Sequence, residues 1–336
     1  MNNKVKISTI ALAVAAVSSL QSFAQDLRYA QSFANPLKLN PAIMGANPDF
    51  KLSLNYRDQW SLIDKGYVTT SFTALYPVFM KEGKSKLDIG VGALNDKAGA
   101  FNKLDFSLAL AYSLRVSDFS SLSLALQGGY VQKTLDNASL MFDEQYVNGE
   151  YSANNPHNEN TLTQAISYAD VGFGAMWFYN PSREDGGRIN AYMGMSGFHL
   201  NQPNESYVAG AGVLAKKFSY QGGIKILGEG KLDFTPNIRI TTQSGAEEIA
   251  AGLYVDYRFN EKAKLVLGSW YRKDDAVAFA LGFEHKNFII GYSYDVVTSQ
   301  LSTAAAGINA YEVTLAYKIN KADKNKIKFN GMFSSF

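Results

Sequence analysis

Apolar and polar residues alternate along most of this chain. In "FKLSLNY" the apolar positions are Phe50, Leu52, Leu54 and Tyr56, and the polar ones are Lys51, Ser53 and Asn55. In "LDFSLALAYSLR" one face carries Leu104, Phe106, Leu108, Leu110, Tyr112 and Leu114. The other carries Asp105, Ser107, Ala109, Ala111, Ser113 and Arg115. Period two is the signature of a strand with two unlike faces. These runs exceed the roughly 5–6 residues of an ordinary globular strand and suit the roughly 9–11 needed to cross a bilayer.

The pattern predicts strands at 50–58, 67–78, 86–95, 102–115, 121–134, 167–179, 188–198, 231–242, 248–259, 263–273, 275–285, 287–297 and 309–319. One more lies within 207–227, either as a single long strand or as an entry segment followed by a strand from Lys217. Counted once, it brings the total to fourteen. With the first strand running outward, the longer connections, such as 135–166 and 298–308, all fall on one side. Short turns fall on the other. An even strand count with short periplasmic turns and long outer loops is the habit of bacterial transmembrane barrels. The expected fold is therefore an all-β, antiparallel up-and-down transmembrane barrel of about fourteen strands. A soluble β-sandwich would need shorter strands and two packed inner faces.

The beginning of the chain supports export. Lys4 and Lys6 precede an apolar, small-residue run from Ile7 to Leu20, and Ser22-Phe23-Ala24 supplies small residues before a cleavage at Gln25. The expected organisation is a signal peptide at 1–24, an Asn-Pro segment at 25–49, the barrel at 50–319 and a periplasmic tail at 320–336. Past the signal, no apolar run reaches the length of a spanning helix. The sequence has 20 Tyr, 21 Phe and 28 Gly, the aromatic- and glycine-rich balance that barrels favour. It has 32 basic and 30 acidic residues, which become equal once Lys4 and Lys6 are removed. That balance lacks the basic excess of a nucleic-acid binder. Cys is absent, so thiol and disulfide chemistry are excluded.

Parity places Arg57, Asp88, Asp105, Arg115, Asp170, Lys225, Asp256, Arg258, Arg272, Asp295 and Glu312 on the lumen face. Gly90, Gly92, Gly172, Gly174 and Gly252 fall there too. Charges of both signs point to a paired internal network, whereas a single-sign ring would point to ion selectivity.

"NPLKLNPAIMG" stands just before the first strand. Asn40 can cap a helical turn, Pro41 suits its first position and Gly45 can end it. Asn35-Pro36 adds a second stiff turn. A rigid segment here must lie in the periplasm or inside the lumen, and the expectation is a plug built on Asn35, Pro36, Asn40, Pro41 and Gly45.

The run "QDLRYAQSFANPLKLNPAIMGANPDFKLSLNYRDQW", Gln25 to Trp60, resembles the opening of the PorP/SprF family of type IX secretion system membrane proteins. "FHLNQPNES", "WYRKDDAVAFALGFEHKNFIIGYSYDVVTSQLS" and "NAYEVTLAYKI" continue the resemblance in order along the chain. It implies an outer-membrane barrel of Bacteroidetes-type bacteria, with no cofactor. The implied role is work with the type IX export and gliding machinery. The implied partners are outer-membrane lipid and either periplasmic secretion components or a secreted adhesin with a C-terminal sorting domain. Many members end in a short Cys-containing tail, whereas this chain ends "NKADKNKIKFNGMFSSF". The Asn-Pro element before a fourteen-stranded barrel also resembles the hatch of FadL-type channels for small hydrophobic solutes, the alternative reading.

Enzymatic chemistry finds no foothold. The three histidines, His157, His199 and His285, lack metal-ligand spacing, and no Gly-x-Ser-x-Gly elbow occurs. No catalytic, cofactor or metal residue is assigned. Candidate partner contacts are Phe142, Asp143, Glu144, Tyr146 and Tyr151 in the long acidic loop. His199, Asn201, Gln202 and Pro203 in "HLNQPNES" are the second set. There, Asn and Gln can serve as turn caps. The lysine-rich tail is a third surface, able to meet an acidic partner by charge.

Overall fold

The structure is a computed structural model. It describes residues 26, 29–60, 66–80, 84–136, 140, 143–147, 150–152, 155, 165–181, 183, 186–207, 212–299 and 309–319. The expected signal peptide at 1–24, Phe142, His157 and the tail at 320–336 lie outside the described residues.

Fourteen antiparallel strands close into one barrel, each paired with its neighbours in sequence and the first, Phe50–Gln59, with the last, Asn309–Ile319. The others are Tyr67–Phe79, Ser85–Ala98, Phe101–Arg115, Ser120–Leu135, Ala165–Tyr179, Ile189–Phe198, Lys217–Leu227, Leu232–Gln243, Ala246–Asn260, Ala263–Arg272, Ala276–His285 and Phe288–Val297. The ambiguous stretch is resolved: its strand begins at Lys217, opposite Phe198 and Gln243. A separate two-stranded hairpin, Tyr146–Val147 with Glu150–Tyr151, stands on the long loop after Leu135.

Burial is inverted relative to a water-soluble protein. On Phe101–Arg115, Phe106, Leu108, Leu110, Tyr112 and Leu114 are exposed, while Asp105, Ser107 and Ser113 are buried. Leu54, Phe72, Leu124, Leu126, Phe279 and Leu281 repeat the pattern around the barrel. So continuous an apolar belt would be an aggregation hazard in water, and its natural solvent is hydrocarbon. No helix among the described residues is long and apolar enough to cross a membrane. Closure pairs every strand edge, which is the condition for sheet in lipid.

The barrel has a near end, where the first strand begins and the last finishes, and a far end with the long connections. Residues 29–49 lie inside it. They form three short helical turns, Ser32–Ala34, Pro36–Leu39 and Pro41–Ala46.

Candidate functional site: the stoppered lumen

The N-terminal segment descends through the lumen from Asp26 at the far end to Asp49 at the near end, and the wall grips it at every level. At the top, Asp26 accepts from Lys217 at 3.2 Å, and its backbone N–H donates to Gln243 at 3.1 Å. His199 stands between two carboxylates, with Nε2 2.8 Å from Asp26 and Nδ1 3.0 Å from Asp170. Burial alone would lower the His199 pKa, but the two carboxylates prevail and raise it to about 9. Burial would raise the Asp26 pKa, yet Lys217, Lys103 and His199 together hold it well below the usual carboxylate range. Both ends of the clasp are therefore charged at neutral pH.

One level down, Glu312 receives the backbone N–H groups of Ala30 at 2.9 Å and Gln31 at 3.3 Å. It also accepts from Asn55 at 2.7 Å and Arg57 at 3.3 Å. Arg57 continues to Asp295 at 3.0 Å, and Asp295 to Arg272 at 3.0 Å. Across the lumen, Arg239 bonds Ser32 and pairs with Glu248 at 2.9 Å. Such a buried ionic array is costly to desolvate and tolerable only because its members are mutually paired.

The middle is apolar. Leu37, Ala42 and Met44 are fully buried, and Phe33 meets Tyr192 edge-on with ring centroids 6.1 Å apart. Asn35 donates to Ser71 at 3.1 Å, and Lys38 pairs with Asp105 at 2.6 Å. Pro36 and Pro41 each open a helical turn, as their fixed φ and missing N–H allow. Asn40 uses its whole amide. Its oxygen accepts from Ala42 N–H at 2.9 Å, and its NH2 donates to the carbonyls of Ala175 at 3.2 Å and Met195 at 3.0 Å. Gly45 does not end its turn, which runs to Ala46 with Asn47 as its cap. It is instead a point of close approach, since an added Cβ would fall 2.5 Å from the Ser123 Cβ. At the bottom, the wholly buried Lys86 donates to the carbonyls of Met44 at 3.2 Å and Asn47 at 2.6 Å, while pairing with Asp88 at 2.9 Å.

Above the stopper is a chamber of about 390 Å³, floored by Asp26 and Tyr29 and lined by Lys103, Phe101, Tyr207 and Leu214. The "HLNQPNES" connection forms its rim. His199 and Gln202 both take left-handed backbone, with φ 56° and 46°. The resulting turn brings Asn201 to the edge of Ala165–Tyr179 above the point where Ile189–Phe198 stops pairing. There the Asn201 side chain accepts from Val171 N–H at 3.2 Å and donates to the Ala169 carbonyl at 2.7 Å. Pro203 accepts the Leu214 N–H at 2.9 Å, and Glu205 pairs with Lys133. The other candidate set is not brought to this site. Asp143 and Glu144 lie in a short turn, and Tyr146 and Tyr151 are backbone register partners in the separate hairpin. Among the described residues, no group of three or more His, Cys, Asp or Glu could hold a metal ion.

Sequence parity pointed to most of the wall charges, including Arg57, Asp88, Asp295 and Glu312. Arg115 and Arg258, on the same face, sit half-exposed at the near rim, bonded to the Asp118 and Gly230 carbonyls of adjoining turns, and Arg258 also pairs with Asp233. The clasp at Asp26 was not visible, because no local pattern marks an ion pair between residues 173 positions apart.

The model of the type IX secretion system membrane proteins PorP/SprF matches residues 21–317. The chain belongs to this family. Among solved structures, the CymD monoaromatic hydrocarbon channel aligns over 86% of this chain and 94% of its own, with TM-score 0.54 and 10% identity. The Ralstonia pickettii toluene transporter TbuX aligns over 84% and 92%, with TM-score 0.53 and 11% identity. At such identities the likeness establishes the architecture alone. No curated protein matches the chain.

The clasp makes a definite expectation for this family member. A group whose folded pKa is raised stabilises fully below its unfolded value, near 6.5, and loses that contribution as pH rises through the folded value. Hydrogen-exchange protection of Ala30 and Gln31, corrected for intrinsic rates, should therefore weaken as pH climbs through about 9. In His199→Gln the protection should already be weak at neutral pH and that step should vanish. Lys217 and Lys103 also face Asp26, so a step surviving in His199→Gln would assign it to them.

Proposed function

We propose that this protein is a non-enzymatic outer-membrane component of the type IX secretion and gliding machinery. It docks the periplasmic apparatus or helps deliver or attach a secreted surface protein through that protein's C-terminal sorting domain. The near end faces the periplasm and the far-end loops face outward, in keeping with barrel habit. Family membership supports the setting. The observation that carries the docking reading is the stopper: backbone groups of Ala30, Gln31, Met44 and Asn47 are bonded into buried charges of the wall. A segment so tied is an unpromising gate and a good rigid support.

The alternative is a channel for small hydrophobic solutes. The far-end chamber favours it, since Leu94, Phe101, Phe198 and Leu214 add apolar surface there. The same chamber is lined by Lys38, Lys103, Lys133, Asp96, Asp105 and Glu205, an unfavourable setting for a hydrocarbon.

An affinity pull-down from gently solubilised, crosslinked outer membranes separates the two. Docking predicts co-purification of periplasmic secretion components or a large secreted adhesin. Recovery of the barrel alone would favour the channel.

A further inference from the structure

Among the described residues, basic side chains outnumber carboxylates at the near-end mouth. Lys51 on the first strand and Lys318 on the last are direct cross-strand partners. Like charges placed opposite each other are destabilising unless something offsets them. Lys318 has an offset: it pairs with Glu284 at 2.6 Å, and Glu284 is shared with Lys264 at 3.1 Å. Lys51 has none. Only 6% exposed, it makes no hydrogen bond or ion pair among the described residues, and it lines a cavity of about 90 Å³ together with Lys318 and Asp49. Farther round, Asp256 is held by Lys225 at 2.6 Å, and Asp233 by Arg183 and by Arg258 at 3.4 Å. Among these described residues, six basic side chains thus stand against four carboxylates, counting Asp49.

Glu284, the partner of Lys318, also lines a second space. This cavity of about 520 Å³ is lined by Arg258, Lys262, Lys264 and Lys286 against Glu261 and Glu284. Lys262 and Lys286 sit exposed on the turns at the barrel rim. The charge therefore runs continuously from the buried Lys51, through Lys318 and Lys264, to the solvent-facing turns. A buried lysine amine with no carboxylate of its own is expensive to charge. Placed at a mouth and aimed into a cavity, it is suited to a carboxylate supplied from outside.

We infer that the near-end mouth is a docking site for an acidic segment of a periplasmic protein, one of whose carboxylates reaches Lys51 and Lys318 while others follow Lys264, Lys262 and Lys286. The inference rests on the docking reading and gives its periplasmic contact a chemistry. An acidic peptide suits a site in which cations are spread from a buried pocket along an open groove. A single phosphate would engage only the pocket.

The test uses the full-length protein in phosphatidylcholine nanodiscs and fluorescein-labelled octaglutamate as probe, read by anisotropy. Octaglutamate should bind, weaken as salt rises, and lose about tenfold or more in affinity in the Lys51→Gln/Lys318→Gln double variant. Intact heat-modifiable migration of the variant confirms that the barrel is formed. Lys262→Glu/Lys286→Glu, altered only at the exposed turns, should also weaken binding. Equal affinity in wild type and both variants would overturn the proposal. So would equal binding of octalysine, or displacement by inorganic phosphate at matched concentration. Failure here leaves the pull-down free to succeed through another surface. An empty pull-down beside specific octaglutamate binding would instead count against the docking role and not against the site.

Discussion

Glu312→Ala is expected to cost the barrel about 3–5 kcal/mol, the range found when one partner of a buried ionic cluster is removed. Glu312 is fully buried and receives two backbone N–H groups of the stopper, the Asn55 amide and the Arg57 guanidinium. Truncation strips Arg57 of one of its two carboxylates and leaves the Ala30 and Gln31 N–H groups without their acceptor. The effect should appear in two readouts. The denaturant midpoint of heat-modifiable migration should fall, and trypsin should gain access to Lys38 within the folded barrel. Glu312→Gln keeps an acceptor without the charge and should fall between. Wild-type resistance to denaturant and trypsin in Glu312→Ala would show that the stopper is held elsewhere.

Gly174→Val should have the second large effect, by a steric route. A Cβ at Gly174 would lie 2.8 Å from the Ala42 nitrogen and 3.0 Å from the Pro41 ring, pressed against the Asn40 amide oxygen. The Ala42 nitrogen and the Pro41 ring are not flexible chain ends, and the Asn40 amide is held by three hydrogen bonds, so none of them can yield cheaply. The turn Asn40 to Ala42 must be displaced, taking with it the bonds to Ala175 and Met195. Stopper and wall then part over the central apolar level. Steady ion conductance in planar bilayers is expected, with the barrel still folded. Gly128→Ala, where an added Cβ meets nothing within 4 Å, is the control and should stay silent. Silence in both variants would place the seal above or below this level.

What could be read from the sequence follows from how each feature is encoded. Strand parity is local, so Phe106 and Leu108 could be sent outward and Asp105 and Ser107 inward from spacing alone, and apart from the stretch before Lys217 the strands emerge with their ends displaced by at most three residues. The stretch before Lys217 alternates as well, yet its described residues 212–216 form only an isolated bridge, Val213 with Asn204. Its neighbours have already ended: Phe198 pairs with Lys217 itself, and Leu214 turns back to Pro203. Pairing is a property of two strands, and one strand's pattern cannot report it.

The stopper divides in the same way. Asn40 and Pro41 announce a capped turn because capping involves adjacent residues. Which wall carbonyls the Asn40 amide reaches depends on the stagger of Ala165–Tyr179 against Ile189–Phe198, which no local pattern fixes. His199 is the sharpest case. In sequence it is an isolated histidine after a strand, whereas in the fold its left-handed backbone places it between Asp26 and Asp170. Lys51 lay open to parity, but its lack of a partner became evident only once Lys318 stood opposite.

The docking proposal requires that the N-terminal segment keep the lumen closed. The most direct test is the conductance of the purified wild-type protein in planar bilayers, with toluene uptake into reconstituted vesicles measured in parallel. A sealed, paired lumen predicts ionic current and solute uptake no greater than those of protein-free membranes. Steady current, or saturable toluene uptake by the wild type, would contradict it and turn the far-end chamber into the entrance of a transport path.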